Sequence, residues 1–287
     1  MKTHHLLKVP LLASALNNYA PVYAQGGEDG VAETICGPTD DRVLSFDVRQ
    51  GRLQPIGCTA WLISENVFLT AGHCAAGQDS RVHFTSGAED APLEDQYAVD
   101  LPSYKSVLVP AEEGLIDWAA GRLRRNPLTG KWPGAAQTQK CGAQGCGWYS
   151  LGPVPSQVSE NDITIIGYGE IEGRVFPQTI HTGPLVNINK YELHYRTDST
   201  GGNSGGPVLH FQTGNAIGIH SSGGCTETGG RNVGTRIDAP GLMEYISVLI
   251  NTSSPTGKPT ISKPPTTAKP TSKRLTRGPT DKPTPTM

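Results

Sequence analysis

Short apolar runs alternate with turn residues through most of the chain, and each run has the length of a β-strand. In the first half they lie at residues 43–46, 60–63, 67–69, 82–84 and 106–109. After Pro133 they lie at residues 148–151, 163–166, 185–188, 208–211 and 216–220. Strands of this length with turns between them are typical of antiparallel sandwiches and barrels, so the pattern predicts an all-β fold of two units.

One segment has the helical period instead. Leu242, Tyr245, Ile246 and Leu249 fall on one face of residues 240–250. We therefore expect a single helix there, at the C-terminal end of the second unit.

The N-terminal end differs from this pattern. Residues 1–24 combine Lys2, an apolar segment and a small-residue pattern ending at Ala24, which predicts a secretory signal peptide; the alternative is an unstructured terminus. Residues 25–35 are small, polar and acidic, as in a short propeptide or N-terminal segment. No later run approaches the ~20 apolar residues of a membrane span, so we expect a secreted, extracellular protein that does not span a membrane.

The C-terminal residues 251–287 are dominated by Pro, Thr, Ser and Lys, a composition that cannot bury a core, so we expect a disordered tail. Asn251 begins a glycosylation sequon. The tail has seven basic residues and one acidic residue, whereas the rest of the chain has 17 basic and 25 acidic ones. The acidic body argues against nucleic-acid binding, and the tail is either an inert spacer or a contact to an anionic wall or surface.

The cysteine count is even, which in a secreted chain favours disulfides over free thiols. The six lie at positions 36, 58, 74, 141, 146 and 225. None forms a CxxC pair, and the chain has no HExxH sequence, so we expect no metal and no cofactor.

A glycine-rich loop, residues 198–207 (DSTGGNSGGP), has the composition of a nucleophile loop around Ser204. A serine hydroxyl attacks only when a base takes its proton and donors hold the oxyanion, and flanking glycines let backbone N–H groups face the substrate. The alternative is a glycine-rich turn between strands.

Two further segments supply the missing groups. His73 follows an apolar strand in a tight turn, and a Cys58–Cys74 bridge around that turn would contribute about 3 kcal/mol while fixing the imidazole. Asp117 is a single carboxylate among apolar residues, so it needs a partner such as the Nδ1–H of a histidine. Asp100 is its nearest competitor.

The sequences TAGHC, IDWA and GGNSGGP, in this order, resemble the chymotrypsin-type serine endopeptidases over about residues 36–250. The resemblance implies two six-stranded antiparallel β-barrels, about residues 36–130 and 131–240, with the active site between them and the helix at 240–250. By this likeness Ser204 is the nucleophile, His73 the general base and acid, and Asp117 the group that orients His73. The N–H groups of Gly202 and Ser204 would form the oxyanion hole.

Finer features are similar to the glutamyl endopeptidases of staphylococci and bacilli: Asp41-Arg42, residues 181–185, residues 200–204 and residues 218–220. In that group a histidine at the position of His220 receives the substrate's glutamate; the alternative for His220 is a strand histidine that faces the core. The likeness places Ser199, Ser221 and Gly223 in the same pocket.

Asp198 conflicts with that specificity. It lies six residues before Ser204, where trypsin-like enzymes carry the pocket aspartate that selects lysine or arginine. It could pair with His220, or it could point away from the pocket, which is the reading we favour.

Two expectations concern maturation and disulfides. Trypsin-like zymogens activate when a new N-terminus pairs with an aspartate before the nucleophile, but here that residue is Asn203, so we expect that switch to be absent. Glu28 and Glu33 are available for self-processing instead. Among the remaining cysteines we expect a local 141–146 bridge and a 36–225 bridge, with 36–141 and 146–225 as the open alternatives.

The sequence therefore predicts a secreted, monomeric serine endopeptidase acting on protein and peptide substrates. Its specificity is for acidic residues through His220 or for basic ones through Asp198. A catalytically inactive protease-fold binding protein is the other class.

Overall fold

The computed structural model describes residues 34–143, 146–158, 162–171 and 175–252. The expected signal peptide, residues 25–33 of the expected propeptide, and the tail from residue 253 onward lie outside the described residues. No helix among the described residues is long and apolar enough to cross a membrane.

Six strands of the first half close into an antiparallel barrel in the order β2-β3-β4-β7-β6-β5. Their bounds are β2 Gln50–Gln54, β3 Cys58–Leu62, β4 Val67–Thr70, β5 Arg81–His83, β6 Gln96–Ala111 and β7 Gly114–Leu123. A short 3-10 turn, Leu93–Asp95, precedes β6. Three large side chains of these strands, Trp61, Tyr97 and Trp118, are wholly buried.

The second half forms another closed antiparallel barrel, in the order β9-β10-β15-β12-β11-β8, with β8 returning to pair with β9. Its strands are β8 Asp162–Gly167, β9 Thr179–Ile188, β10 Glu192–Tyr195, β11 Pro207–His210, β12 Ala216–Ser222 and β15 Asn232–Arg236. Strand β1, Val43–Leu44, adds to the outside of β9, and β13, Cys225–Thr226, pairs with β14, Gly229–Gly230. The predicted all-β fold of two six-stranded barrels is confirmed.

One hydrophobic cluster joins the two barrels. It includes Trp61 and Phe68 of the first barrel together with Leu209 and Ile219 of the second, and a separate cluster around Leu193 fills the second barrel. Burying a side chain of this size contributes about 1.5–3 kcal/mol, so separating the barrels would expose a large part of the stabilising area.

The C-terminal helix is confirmed as α2, Leu242–Asn251, whose Leu242, Ile246 and Leu249 are buried. The expectation of a single helix was wrong, because residues Pro133–Cys141 form another helix, α1. Proline stands at its first turn and Gly142 ends it with a left-handed φ of 76°, but its sequence has no apolar stripe.

The strand predicted at residues 148–151 was also wrong. These residues make only a single bridge, between Leu151 and Ala216. Their apolar side chains pack against the core from a loop: Tyr149 is buried against Trp61, with the ring centroids 5.7 Å apart.

Three disulfides account for all six cysteines: Cys36–Cys225, Cys58–Cys74 and Cys141–Cys146. The first ties the start of the described chain to the second barrel. The second closes the turn that carries His73.

Candidate active site

His73 and Asp117 meet at the edge of the first barrel that faces the second. His73 follows the end of β4 in a tight turn, and Asp117 lies in the middle of β7. The His73 backbone N–H donates to Asp117 Oδ1 at 2.9 Å, and its ring Nδ1 lies 2.7 Å from Oδ2. The Asp117 side chain is 1 % exposed and the His73 side chain 35 %, so one end of the pair is fixed and the other is open to solvent.

The second barrel completes the environment of Asp117. The Ser221 hydroxyl donates to Asp117 Oδ2, and the Asp117 backbone N–H donates to Thr235 Oγ1 at 3.1 Å. Burial favours the neutral acid, but the hydrogen bonds and charge interaction with His73 and the bond from Ser221 outweigh it and hold the pKa of Asp117 below its ordinary value.

The loop that carries Ser204 is packed against the same turn. The Thr59 N–H donates to the Ser204 carbonyl at 2.8 Å. A Cβ on Gly205 would lie 2.2 Å from Thr70 Oγ1 and 2.9 Å from the Ala71 nitrogen, so only glycine permits this approach, two residues before His73. No hydrogen bond joins the Ser204 hydroxyl to His73 within the described ranges; such bonds are often long in free enzymes and tighten on substrate binding.

Some backbone N–H groups of the loop, among them those of Gly202 and Ser204, have no partner in the described chain. Gly202 has a left-handed φ of 102°, and a Cβ there would lie 2.3 Å from the Tyr168 carbonyl oxygen. The Gly201 carbonyl accepts the Glu170 N–H at 2.9 Å and the Gly202 carbonyl accepts the Thr59 hydroxyl at 2.8 Å. In the part of the chain that the structure describes, neither the Gly202 nor the Ser204 N–H has an acceptor.

His220 lies in β12 and is 2 % exposed. Its Nδ1 is 2.6 Å from the Tyr195 hydroxyl. Burial and the nearby charge of His73 lower the pKa of His220 to about 3, although the charge of Asp117 acts in the opposite direction. Burial also raises the pKa of Tyr195 well above its ordinary value, so the phenol keeps its proton and can donate it to Nδ1; in that arrangement the proton of neutral His220 lies on Nε2.

Asp198 faces the start of the described chain. Its Oδ1 accepts the Cys36 N–H and its Oδ2 accepts the Asp41 N–H, both at 2.8 Å. His181 Nδ1 lies 3.3 Å from Oδ2 and accepts the Asp198 N–H at 2.8 Å. The carboxylate is therefore 1 % exposed and fully engaged with protein groups.

Ser199 and Gly223 meet at the side chain of Thr34. Thr34 donates to the Ser199 carbonyl and receives a hydrogen bond from the Ser199 hydroxyl at 3.2 Å. Its methyl group lies over Gly223, where no Cβ would fit. Asn232 Nδ2 donates to the Thr34 carbonyl at 2.8 Å and to the Ser199 hydroxyl at 3.1 Å.

Four residues of this region were missed by the sequence reasoning: Tyr195, Thr235, Asn232 and Thr34. Each is a polar residue in or near a strand, and nothing local marks it. Only the cross-strand register brings them to the site, since Tyr195 pairs with Asn232 and Ile219, next to His220, pairs with Thr235.

The chain belongs to the trypsin family, because the family model described as Trypsin matches residues 41–240, well over half of its length.

Two curated relatives match with 27 % identity. One is the extracellular metalloprotease of Bacillus subtilis (strain 168), over 187 residues, with 63 % of this chain and 54 % of the relative covered. The other is the glutamyl endopeptidase of Bacillus licheniformis, over 152 residues, with 53 % and 45 % covered. The chain thus spans about half the length of the curated relatives it matches.

Two solved structures share the fold. A Glu endopeptidase in complex with MPD superposes with a TM-score of 0.55 at 20 % identity, covering 75 % of this chain and 98 % of that one. A mutant of human heparin binding protein superposes with a TM-score of 0.52 at 16 % identity, covering 73 % and 94 %. The closeness to glutamyl endopeptidases, expected from the motifs, is confirmed at low identity.

The name of the Bacillus subtilis relative raises the question of a metal. The described residues contain two groupings of ligand-type side chains: Cys58 with His73 and Cys74, and Asp41 with His181 and Asp198. The first offers no thiolate, since its cysteines are joined in a disulfide. In the second, both oxygens of Asp198 already accept backbone N–H groups. Neither grouping fits a metal without losing these contacts.

Proposed function

We propose that the chain is a secreted endopeptidase that cleaves protein and peptide substrates through a triad of Ser204, His73 and Asp117. The observation that carries this proposal is the fixed His73–Asp117 pair beside a loop whose Gly202 and Ser204 N–H groups have no acceptor in the described chain. An activated serine needs a base that is open to it, an acceptor that fixes the base, and donors for the oxyanion. His73, Asp117 and the two N–H groups are the candidates for these three roles.

The chemistry follows from this arrangement. His73 takes the proton of the Ser204 hydroxyl as the oxygen attacks the substrate carbonyl. Asp117 holds the ring with Nδ1 protonated and stabilises the imidazolium that forms. The two free N–H groups bind the oxyanion, where the loss of one donor typically costs about 2.7–4 kcal/mol of transition-state stabilisation. His73 then protonates the leaving amine, and water releases the acyl group.

We further propose that the enzyme prefers glutamate or aspartate before the scissile bond. Neutral His220 with its proton on Nε2 is a hydrogen-bond donor, and Nε2 has no partner among the described residues. Tyr195 fixes this tautomer. A glutamate carboxylate can accept from Nε2–H, whereas a lysine or arginine head offers donors only and cannot.

The opposite preference, for lysine or arginine through Asp198, has less support. A pocket carboxylate must be free to pair with the incoming cation, but both oxygens of Asp198 are taken by the Cys36 and Asp41 N–H groups. Freeing them would leave two buried donors unpaired, a cost of about 1–3 kcal/mol for each.

Two experiments test these proposals. A fluorophosphonate should label the purified protein covalently, and Ser204→Ala should abolish both labelling and peptide cleavage; unlabelled, inactive wild type would instead support a protease-fold binding protein. A peptide library should show cleavage after glutamate or aspartate, and His220→Ala should lower kcat/KM for these peptides much more than Asp198→Asn does. Cleavage after lysine or arginine would reject the acidic preference.

The same proposal includes four further properties: proteolytic maturation, glycosylation at Asn251, a monomeric state and a surface-binding role of the tail. Asn251 is the last residue of α2 and is exposed, so an oligosaccharide there would meet no core residue.

A further inference from the structure

We infer that Arg42 is a positioning residue: its buried guanidinium holds the Ser204 loop in the conformation that leaves the Gly202 and Ser204 N–H groups free for the oxyanion. The inference rests on the proposed triad and oxyanion hole. Asn203 has no charge with which to pair with an N-terminus, so another group must order this loop.

The loop needs an external support. Gly201 and Gly202 are consecutive glycines, which lose more conformational freedom on ordering than any other residues. Asn203 is 1 % exposed and neutral, and its Oδ1 accepts the Thr200 N–H at 3.0 Å, so it closes the loop locally but carries no charge.

Arg42 reaches the loop from the start of the described chain. Its side chain is 2 % exposed. Nη1 donates to Thr200 Oγ1 at 2.5 Å and Nη2 to the Glu170 carbonyl at 2.8 Å. Asp40 balances the charge through Nε at 2.8 Å and Nη2 at 2.7 Å. Burying a guanidinium is unfavourable unless its donors are satisfied, so these contacts fix where it can sit.

A continuous set of hydrogen bonds leads from Arg42 to the oxyanion donors. The Thr200 hydroxyl donates to the Glu170 carbonyl at 2.7 Å. The Glu170 N–H in turn donates to the Gly201 carbonyl at 2.9 Å. Because the C=O and N–H of a trans peptide point in opposite directions, holding the Gly201 carbonyl on this side aims the Gly202 N–H at the other.

The three side chains converge over Gly169. A Cβ at that position would lie 1.9 Å from Asn203 Oδ1 and 2.5 Å from both Arg42 Nη1 and Thr200 Oγ1. Arg42 and Asn203, the residue that immediately precedes Ser204, therefore lie against the same glycine.

The residues before Arg42 are anchored to the second barrel and so fix the position of Arg42. Cys36 and Asp41 both donate backbone N–H groups to Asp198, and the Cys36–Cys225 disulfide ties the segment to the second barrel. Thr34 pairs with Ser199 in a β-bridge. Residues 198, 199 and 200 are thus each held by residues 34–42.

Arg49 provides a matched control. Asp47 and Arg49 repeat the spacing and order of Asp40 and Arg42, with Nη2 2.5 Å from Asp47 Oδ2. The Arg49 guanidinium stacks on the Tyr149 ring at 3.8 Å and makes no contact with the Ser204 loop among the described residues. Truncating it should lower stability without disturbing the oxyanion donors.

The test compares Arg42→Ala, Arg42→Lys and Arg49→Ala in the full secreted chain by steady-state cleavage of a glutamyl peptide. We expect Arg42→Ala to lower kcat about 10²–10³-fold with KM changed less than threefold, the size of effect typical of a lost oxyanion donor. Arg42→Lys should recover part of the rate, and Arg49→Ala should stay within twofold of wild type. Added N-ethylguanidine should raise the rate of Arg42→Ala and leave Arg49→Ala unchanged.

A kcat for Arg42→Ala within twofold of that for Arg49→Ala, or a defect that N-ethylguanidine does not reduce, would overturn the inference. If Arg42→Ala does not fold, Thr200→Val decides, since it removes only the hydroxyl between Arg42 and Glu170 and should lower kcat while urea unfolding shows that the protein is still folded under the assay conditions. Ser204→Ala distinguishes failure of the proposed triad from failure of this inference. If Ser204→Ala is active, the triad is refuted. If Ser204→Ala is inactive and Arg42→Ala is fully active, only the role of Arg42 is refuted.

Discussion

Asp117 accepts three hydrogen bonds on its carboxylate, from the His73 N–H, the His73 ring and the Ser221 hydroxyl. Asp117→Asn keeps the shape but replaces one acceptor oxygen by an NH₂ group, so two donors would face each other and the ring would take the wrong tautomer. We expect kcat to fall about 10³–10⁴-fold at neutral pH in a peptide-cleavage assay. Asp100→Asn is the control, because Asp100 pairs at the surface with Arg124 and should be replaceable within twofold. More than a tenth of the activity remaining in Asp117→Asn would remove Asp117 from the triad.

His220 makes stability depend on pH. Its pKa is about 3 in the folded protein and about 6.5 in the unfolded chain, so the unfolded state binds the extra proton between these values. The stability is fully present above pH 6.5 and falls as the pH is lowered toward 3. In a Ser204→Ala background, which prevents autolysis, we expect urea unfolding to show a loss from pH 7 to 4.5 that His220→Gln reduces by about 2–3 kcal/mol. An equal loss in both proteins would contradict the buried neutral histidine.

The residues proposed for the triad were recognisable because their neighbours in sequence are distinctive. Ser204 has glycines on both sides, His73 lies in TAGHC, and Asp117 has apolar flanks. Tyr195 and Thr235 have no such context, since each contacts a residue more than twenty positions away. Strand pairing in the second barrel brings Tyr195 to His220, and the packing of the two barrels brings Thr235 to Asp117. The partners of Asp198 could not be predicted either, because they are backbone N–H groups of a distant segment.

The β6–β7 hairpin is the element that holds Asp117 in the cleft. Its tip approaches the second barrel so closely that a Cβ on Gly114, whose φ is 119°, would lie 2.3 Å from Glu192 Cδ. Glu192 Oε1 accepts the Leu115 N–H at 2.7 Å. The strand bearing Asp117 is therefore tied to β10 two residues before the carboxylate.

Gly114→Ala tests this docking. The new methyl group must displace Glu192 and adopt a left-handed backbone, so we expect a loss of about 2–4 kcal/mol in urea unfolding and a lower kcat. Gly130→Ala is the control: Gly130 also has a positive φ, 68°, but nothing lies within 4 Å of its Cβ. It should lose only the backbone part, about 1–2 kcal/mol, and keep its kcat. Equal losses in the two variants would mean that Glu192 does not clamp the hairpin.

Strands and helices could be predicted where the pattern of apolar residues matches their burial. They were missed where tertiary contacts determine the local structure. Strand β2 (QGRLQ) was missed because its polar residues are buried: Gln50 is 1 % and Arg52 6 % exposed. Helix α1 was missed because it buries Pro133, Gly134 and Gln137 rather than an apolar stripe. Periodicity also could not show that each set of strands closes into a barrel, which only the resemblance implied.

At the scale of the whole molecule, the start of the described chain contacts the second barrel and then continues into the first. It crosses from Thr34, against Ser199 and Gly223, to β1 on the outside of the second barrel, and then enters β2 of the first. Glu33 stands directly before this docked segment. A cut after Glu33 would leave every described contact of Thr34 and Cys36 unchanged, including the Cys36–Cys225 disulfide, so the segment would stay in place once the peptide before it has gone.

This position makes the maturation hypothesis specific. An enzyme that cleaves after glutamate can remove its own residues up to Glu33 or Glu28, and no basic residue lies between Lys8 and Arg42 for a tryptic cut. We expect N-terminal sequencing of the secreted wild type to begin at Thr34 or Asp29, and that of Ser204→Ala to begin before Glu28. Glu33→Gln should shift the wild-type terminus away from Thr34 if that bond is the one cut, whereas Glu94→Gln, a glutamate in the first barrel, should leave it unchanged. Identical termini in wild type and Ser204→Ala would show that another protease performs the cut, because an inactive protein could not then have been processed by its own active site.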